Sequence, residues 1–290
     1  MMTPPGIRPS GETGSSQEAA TVCRRRAAGI RAVALEMISG AGYGFAGSCL
    51  SVADVLAALS VSWRIATALG ADRGAEEPAD VLCLSKGHAA PALYATLLGA
   101  QWRSVGRYAA LGSALQGHPH RTRLAGIPAT AGSLGLAPAL AVGAHLGARR
   151  RGRAGRLAVV VGDGEIQSGQ ALETLTWLAE SRIPGVLVIV DHNGMQSTGR
   201  SGEASLRAVA AAFGDPVRVD GHDASALLSA FDAFTSVSQA RLVVAVTRRW
   251  AGVTLPDHSP QAMSHLPDPD LLEVMIRELY EEAGPEEAWS

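Results

Sequence analysis

Two apolar runs constrain this chain more than any other feature of it. Residues 156–164 read RLAVVVGDG, and residues 185–193 read GVLVIVDHN. A strand with one wet face alternates apolar and polar side chains. These runs instead stay apolar through five successive positions, as strands covered on both faces do. Shorter β-type runs occur at 80–85 (DVLCLS), 216–221 (PVRVDG) and 240–247 (ARLVVAVT), with helical patterns between most of them. Alternating strands and helices predict an α/β fold: a doubly wound, mostly parallel sheet with helices on both faces. Its crossovers should be right-handed and its ligands should sit outside the carboxyl ends of the strands.

The rest of the chain fits one domain over 18–290, preceded by a disordered segment over 1–17 that is rich in Pro, Gly and Ser. Ile30, Val33, Ala34, Met37 and Ile38 recur at helical spacing, predicting an amphipathic helix that ends near SGAGYG. A second helix is predicted over LSVADVLAAL, with Ser51 as its N-cap. Residues 258–270 read as a loop before a last helix. Aromatic residues are only 4% while Ala and Gly abound, so helices can pack closely on the sheet. A net charge of −2 offers no general attraction for nucleic acid or an anionic membrane. No run approaches the roughly 20 apolar residues of a membrane span. Arg24–Arg26 does not open an export signal, because Arg31 and Glu36 interrupt the apolar stretch after it. Three cysteines without metal-ligand spacing read as reduced thiols, which points to the cytoplasm.

Asp163 stands between Gly162 and Gly164 where a strand should hand over to a helix, and Asn193 closes the next strand thirty positions on. A strand–helix–strand unit of that length sets both tips side by side. Free N–H groups at such a tip favour an anion, yet Asp163 is itself one. A divalent cation joining the carboxylate, the Asn193 amide oxygen, a backbone carbonyl and two diphosphate oxygens resolves the conflict. Spacing alone leaves a second reading open, in which Asp163 caps the helix and Asn193 shapes a turn.

The segment GDGEIQSGQALETLTWLAESRIPGVLVIVDHNGMQSTG resembles the thiamine diphosphate motif of the transketolase family. The resemblance extends through LSKGHAAPALYATL, LQGHP, AGSLGLAPALAVGAHLGAR and VDGHD, covering about residues 30–270. It implies a thiamine diphosphate site with Mg²⁺ (or Ca²⁺ or Mn²⁺) held by Asp163, Asn193 and the carbonyl of Met195. Cofactor contacts are implied at Gly132, Ser133, Leu134, Gly162, Gly164 and Glu165, and Glu173 belongs to a carboxylate network between cofactor sites. His88, His118 and His265 match histidines near the diphosphate and the substrate oxygens. His192 and His222 read as structural, and Lys86 as a turn residue. His120, His145 and His258 receive no role.

Two departures from the family stand out. Phe45 or Ala46 falls where it carries the histidine of Ser-Gly-His-Pro-Gly, and Ser168 replaces a glutamate of the carboxylate network. GLAP after Ser133-Leu134 is a third, local change. Together they imply a specialised, biosynthetic paralogue with a less hydroxylated substrate. The family activates its cofactor with a glutamate in a following pyrimidine-binding domain, for which little sequence remains after residue 270. The resemblance therefore implies the amino-terminal component of a split enzyme. It would form an α2β2 assembly with a separate carboxyl-terminal partner and transfer a two-carbon ketol unit from a ketose to an aldehyde. The alternatives are the α component of a 2-oxoacid dehydrogenase or decarboxylase, and a degenerate scaffold that binds a partner without catalysis.

Overall fold

The computed structural model describes residues 16–65, 80–153, 155–214, 216–234, 239–254 and 268–285. Most of the 1–17 segment and of the loop before the last helix lies outside them; Ser16 and Gln17 already belong to the first helix. Five parallel strands form the sheet in the order β1-β2-β3-β7-β6: β1 Val81–Leu84, β2 Leu157–Gly162, β3 Val186–His192, β6 Val217–Asp220 and β7 Arg241–Val246. Each expected β-run is thus a strand, shorter by one or two residues at its ends.

The two-faced burial is visible residue by residue. Ala158, Val160, Leu187, Ile189, Val243 and Ala245 face a core built by α1 (Ser16–Ala41), α2 (Ala46–Ser62), α3 (Ala90–Leu98), α8 (Ala224–Asp232) and α9 (Pro269–Ala283). Val159, Val161, Val188, Val190, Leu242 and Val244 face a second core under α5 (Ala137–Arg150), α6 (Gly169–Glu180) and α7 (Ala204–Phe213). Helices therefore cover both faces, which is why the central strands read as unbroken apolar runs. A short α4 (Trp102–Val105) follows α3. A two-stranded antiparallel hairpin, β4 (Met195–Gln196) and β5 (Gly199–Arg200), projects after β3.

Helix α2 starts earlier than expected. Phe45 stands at its N-cap without a side-chain hydrogen bond, and Ser51 lies inside the helix rather than capping it. The Ser51 hydroxyl donates to Asp191 instead, at 2.8 Å. Every residue of α2 from Ala46 to Ser60 is buried, so Asp54 within it needs partners. It finds Arg31 of α1, by a short charge-assisted bond, and Nδ1 of His222 at 2.7 Å. Burial alone would raise the Asp54 pKa, but Arg31 and His222 outweigh it and hold it below the ordinary carboxylate range. Replacing Asp54 with Ala strands the buried Arg31 charge. Urea denaturation should show a loss of about 3–5 kcal/mol.

Candidate functional site

Gly162 of β2 pairs with Asp191 of β3 in the parallel ladder, so the loops after both strands leave from neighbouring tips. Asp163 is 3% exposed. Its Oδ1 accepts the Gly164 N–H at 2.8 Å. Its Oδ2 accepts the Gly194 N–H at 2.7 Å and the Ser201 hydroxyl at 2.9 Å, and lies 3.2 Å from Nδ1 of His192. The carboxylate thus pins the loop after β3 to the tip of β2. It does not cap α6, a task that Ser168 performs.

Asn193 does shape a turn: its Oδ1 accepts the Met195 N–H at 3.1 Å, while Nδ2 donates to Ser51 at 3.3 Å. That turn does not preclude a ligand role. Asn193 Oδ1 and Asp163 Oδ1 each accept one hydrogen bond and keep a lone pair. Among the described residues no three His, Cys, Asp or Glu side chains gather into a metal cage. A cation here would complete its shell with oxygens from a ligand, and an all-oxygen donor pair suits a hard divalent ion. The residues present fit a metal–diphosphate group.

The two glycines flanking Asp163 differ in how tightly their surroundings close on them. A Cβ on Gly164 would sit 2.7 Å from the Gln196 Cβ, so Gly164 admits the hairpin. At Gly162 the nearest neighbour would be 3.8 Å away, an ordinary contact. Glu165 is a buried brace. Its carboxylate accepts from Ser85 after β1, from Gly135 N–H at 3.1 Å and from Gly162 N–H at 3.3 Å. Burial pushes its pKa up.

Three separated motifs meet beside these tips. A Cβ on Gly87 would lie 2.8 Å from the Ala131 Cβ and 2.9 Å from Cδ2 of His118. Gly132, at φ +124°, backs onto the same His118 ring. Gly132, Ser133 and Leu134 form an exposed turn, with Leu134 63% exposed. His88 Nε2 lies 3.1 Å from the Ser48 hydroxyl, and the edge-on ring of Phe45 stands 5.4 Å away. Phe45 itself is 43% exposed. The structure therefore brings His88, His118, Gly132, Asp163, Gly164, Glu165, Asn193 and Met195 to one end of the sheet. Glu173 is exposed on α6 and takes no part in these hydrogen bonds. His265 and His258 lie outside the described residues.

Lys86 corrects the sequence reading. It does stand at a tight turn, but its charge is 3% exposed, bonding the Ser48 carbonyl at 3.1 Å and paired with the fully buried Asp191. Thr247, after β7, also donates to Asp191. Burial alone would raise the Asp191 pKa; Lys86, Thr247 and Ser51 hold it below the usual carboxylate range. An acid at the end of an apolar strand was the available signal, because such a charge needs a buried partner. His222 is structural, as expected: Nδ1–H faces Asp54, and Nε2 accepts the Arg248 N–H at 2.8 Å. His145 is likewise occupied, against the Pro184 carbonyl at 3.2 Å.

The family profile described as "Transketolase, thiamine diphosphate binding domain" matches residues 22–265. A 6-deoxy-6-sulfo-D-fructose transketolase subunit of Clostridium sp. (strain MSTE9) is 34% identical over 70% of this chain and 76% of its own length. One of the subunits named for an apulose-4-phosphate transketolase, from Actinobacillus succinogenes, is 27% identical over 70% of this chain and 76% of its own. The crystal structure of transketolase from Campylobacter jejuni superposes with a TM-score of 0.75 over 90% of this chain at 24% identity, which establishes the shared fold. This chain spans 42% of that solved chain. With the profile covering most of its length and the diphosphate-site motifs gathered at one sheet end, the chain belongs to the transketolase family.

Proposed function

We propose that this chain is the metal- and diphosphate-binding component of a two-subunit, thiamine-diphosphate-dependent transketolase-like enzyme that moves a two-carbon ketol unit from a ketose to an aldehyde. The convergence of Asp163 and Asn193 on neighbouring strand tips, with lone pairs to spare, carries the reading. Its relatives of similar length are named as transketolase subunits, which favours ketol transfer over 2-oxoacid chemistry or an inert scaffold. The sulfofructose and apulose phosphate named for those relatives make a specialised, non-housekeeping substrate a fitting expectation here.

Asp163, Asn193 and the Met195 carbonyl would hold Mg²⁺, and the Gly164 N–H region would face the diphosphate. Thiamine diphosphate supplies, when bound, the carbon nucleophile that the protein's own side chains lack. This chain's residues orient and shield. Glu165 fixes three loop ends beneath the site. His88 is neutral, because burial, helped by Lys86 and His118, lowers its pKa to about 3. It therefore acts as a hydrogen-bonding group rather than a standing cation. Burial also lowers the His118 pKa. Phe45 puts apolar surface against His88, which suits a substrate with fewer hydroxyls at that place.

A partner subunit carrying the pyrimidine end of the site is part of this proposal, in an α2β2 assembly. The exposed Phe45 and Leu134 at the site's rim support it. Among the described residues no helix is long and apolar enough to cross a membrane. The buried free cysteines, Cys23, Cys49 and Cys83, with thiol pKa values pushed up to about 12, fit a reducing cytoplasm.

Asp163→Asn should weaken binding of Mg²⁺–thiamine diphosphate by at least about 100-fold, read as loss of cofactor-dependent tryptophan quenching. Unchanged affinity would overturn the reading. Ketol transfer by the purified chain should be negligible until the carboxyl-terminal partner is added; full activity without it would sink the two-subunit proposal. In the cofactor-free chain the His88 ring should show no protonation by NMR between pH 5 and 8. Its neutral burial stabilises the fold above the unfolded-state pKa near 6.5, and that stability is lost as pH falls toward about 3.

A further inference from the structure

Helix α1 ends on two small residues, Gly40 and Ala41, and the chain then folds back against it. The Tyr43 N–H reaches the Ile38 carbonyl at 3.3 Å, and a Cβ on Gly44, at φ +151°, would meet Ile38 Cγ1 at 2.5 Å. Only glycine permits so close a return. Tyr43 is left standing out from the helix end, 46% exposed. The loop after α4 faces it. Tyr108 of that loop stacks on Tyr43, with ring centroids 6.5 Å apart and planes 17° apart. Ala109 adopts φ +56° while its N–H bonds the Leu115 carbonyl at 2.8 Å. A positive φ on a residue that carries a Cβ costs energy and persists where the surroundings impose it.

Between the helix end and this loop lies a cavity of about 440 Å³, within the range of small-molecule sites. Met37, Tyr43, Trp102 and Tyr108 give it apolar and aromatic walls, and Ala110 and Gly117 leave the space between them open. Two charged side chains line it as well. Glu36 is taken by Arg103 at 2.6 Å. The Arg107 side chain has no ion pair or hydrogen bond among the described residues. An apolar slot with one uncommitted cation suits a flat body that carries an acid group, whereas the hydroxyls of a sugar would go unmet against those walls.

The cavity adjoins the candidate site. Gly117 in its lining precedes His118, and a Cβ on Gly117 would touch the Tyr43 ring at 3.4 Å. Rings connect the two places as well: Tyr43 meets Phe45 edge-on at 6.1 Å, and Phe45 meets His88 at 5.4 Å. We infer that this cavity is a specificity pocket for the aldehyde acceptor, taking a flat aromatic or apolar body whose acid group pairs with Arg107. This rests on the ketol transfer proposed above. The two-carbon unit is the same in every such transfer, so the body of the aldehyde is the part that a separate pocket can select.

Three probes test it: 4-formylbenzoate, benzaldehyde and D-glyceraldehyde. In equilibrium dialysis the full chain without cofactor should retain 4-formylbenzoate best and D-glyceraldehyde least. R107A should weaken 4-formylbenzoate about 3- to 10-fold and benzaldehyde less than about 2-fold, with R107K restoring part of the loss. A110W fills the cavity and should weaken both aromatic probes at least about 10-fold. R107A and R107K carry the test should A110W fail to fold. In the enzyme reconstituted with its partner, the same variants should raise the KM for 4-formylbenzoate in proportion. Binding that no variant alters overturns the inference. Altered binding with an unchanged KM overturns it in favour of a ligand site outside the reaction, and release of the probe when the partner is added overturns it in favour of a partner contact. Each of these results leaves the proposed function standing so long as the reconstituted enzyme transfers a ketol unit to D-glyceraldehyde. Transfer to none of the three aldehydes removes the proposed function and the acceptor pocket together.

Discussion

One fully buried carboxylate organises the active end of this molecule. Asp191 sits near the end of β3 with no exposed surface, and it draws Lys86 from the loop after β1, Ser51 from α2 and Thr247 from beyond β7. Four separate segments meet at that one group. A buried pair of this kind contributes little net stability compared with apolar packing of the same volume. Its effect is on arrangement: removing any one partner leaves an uncompensated charge or donor, so competing loop positions are strongly disfavoured. Above it, Asp163 and Asn193 can be presented on fixed backbones.

A second buried network repeats the logic one layer further out. Arg31, Asp54 and His222 connect α1, α2 and the loop after β6, and His222 then accepts the backbone N–H of Arg248. The two networks flank the loop after β7. Both consume their own charges, Lys86 against Asp191 and Arg31 against Asp54.

How much of this was legible in the sequence follows from the range of the interactions involved. The strands announced themselves because burial on both faces leaves no polar positions, a signal carried by each run alone. The adjacency of Asp163 and Asn193 followed from the length of one strand–helix–strand unit. The N-terminus of α2 did not, because Phe45 starts it without a capping side chain and the nearest serine is engaged with Asp191. The hairpin of β4 and β5 is two residues to a strand, too short for any periodicity. Lys86 was misread because its partner lies 105 residues away, and a lysine in a loop motif ordinarily faces water.

The departures from the family pattern acquire physical content in the same way. Ser168 caps α6, and a Cβ on Gly135 would come within 2.1 Å of its hydroxyl, so the two small residues are fitted to each other. A glutamate at 168 would have to displace that turn or point outward. Phe45 is different in kind. It projects an exposed ring beside His88 and makes an edge contact with Tyr43, which stacks in turn on Tyr108. An apolar ring left in water at the rim of a polar site is favourable only if something covers it. A substrate with an apolar group, or a partner chain that closes over the rim, would each do so. The exposure of Phe45 thus gives the proposed substrate preference and the proposed partner subunit a shared residue to act on.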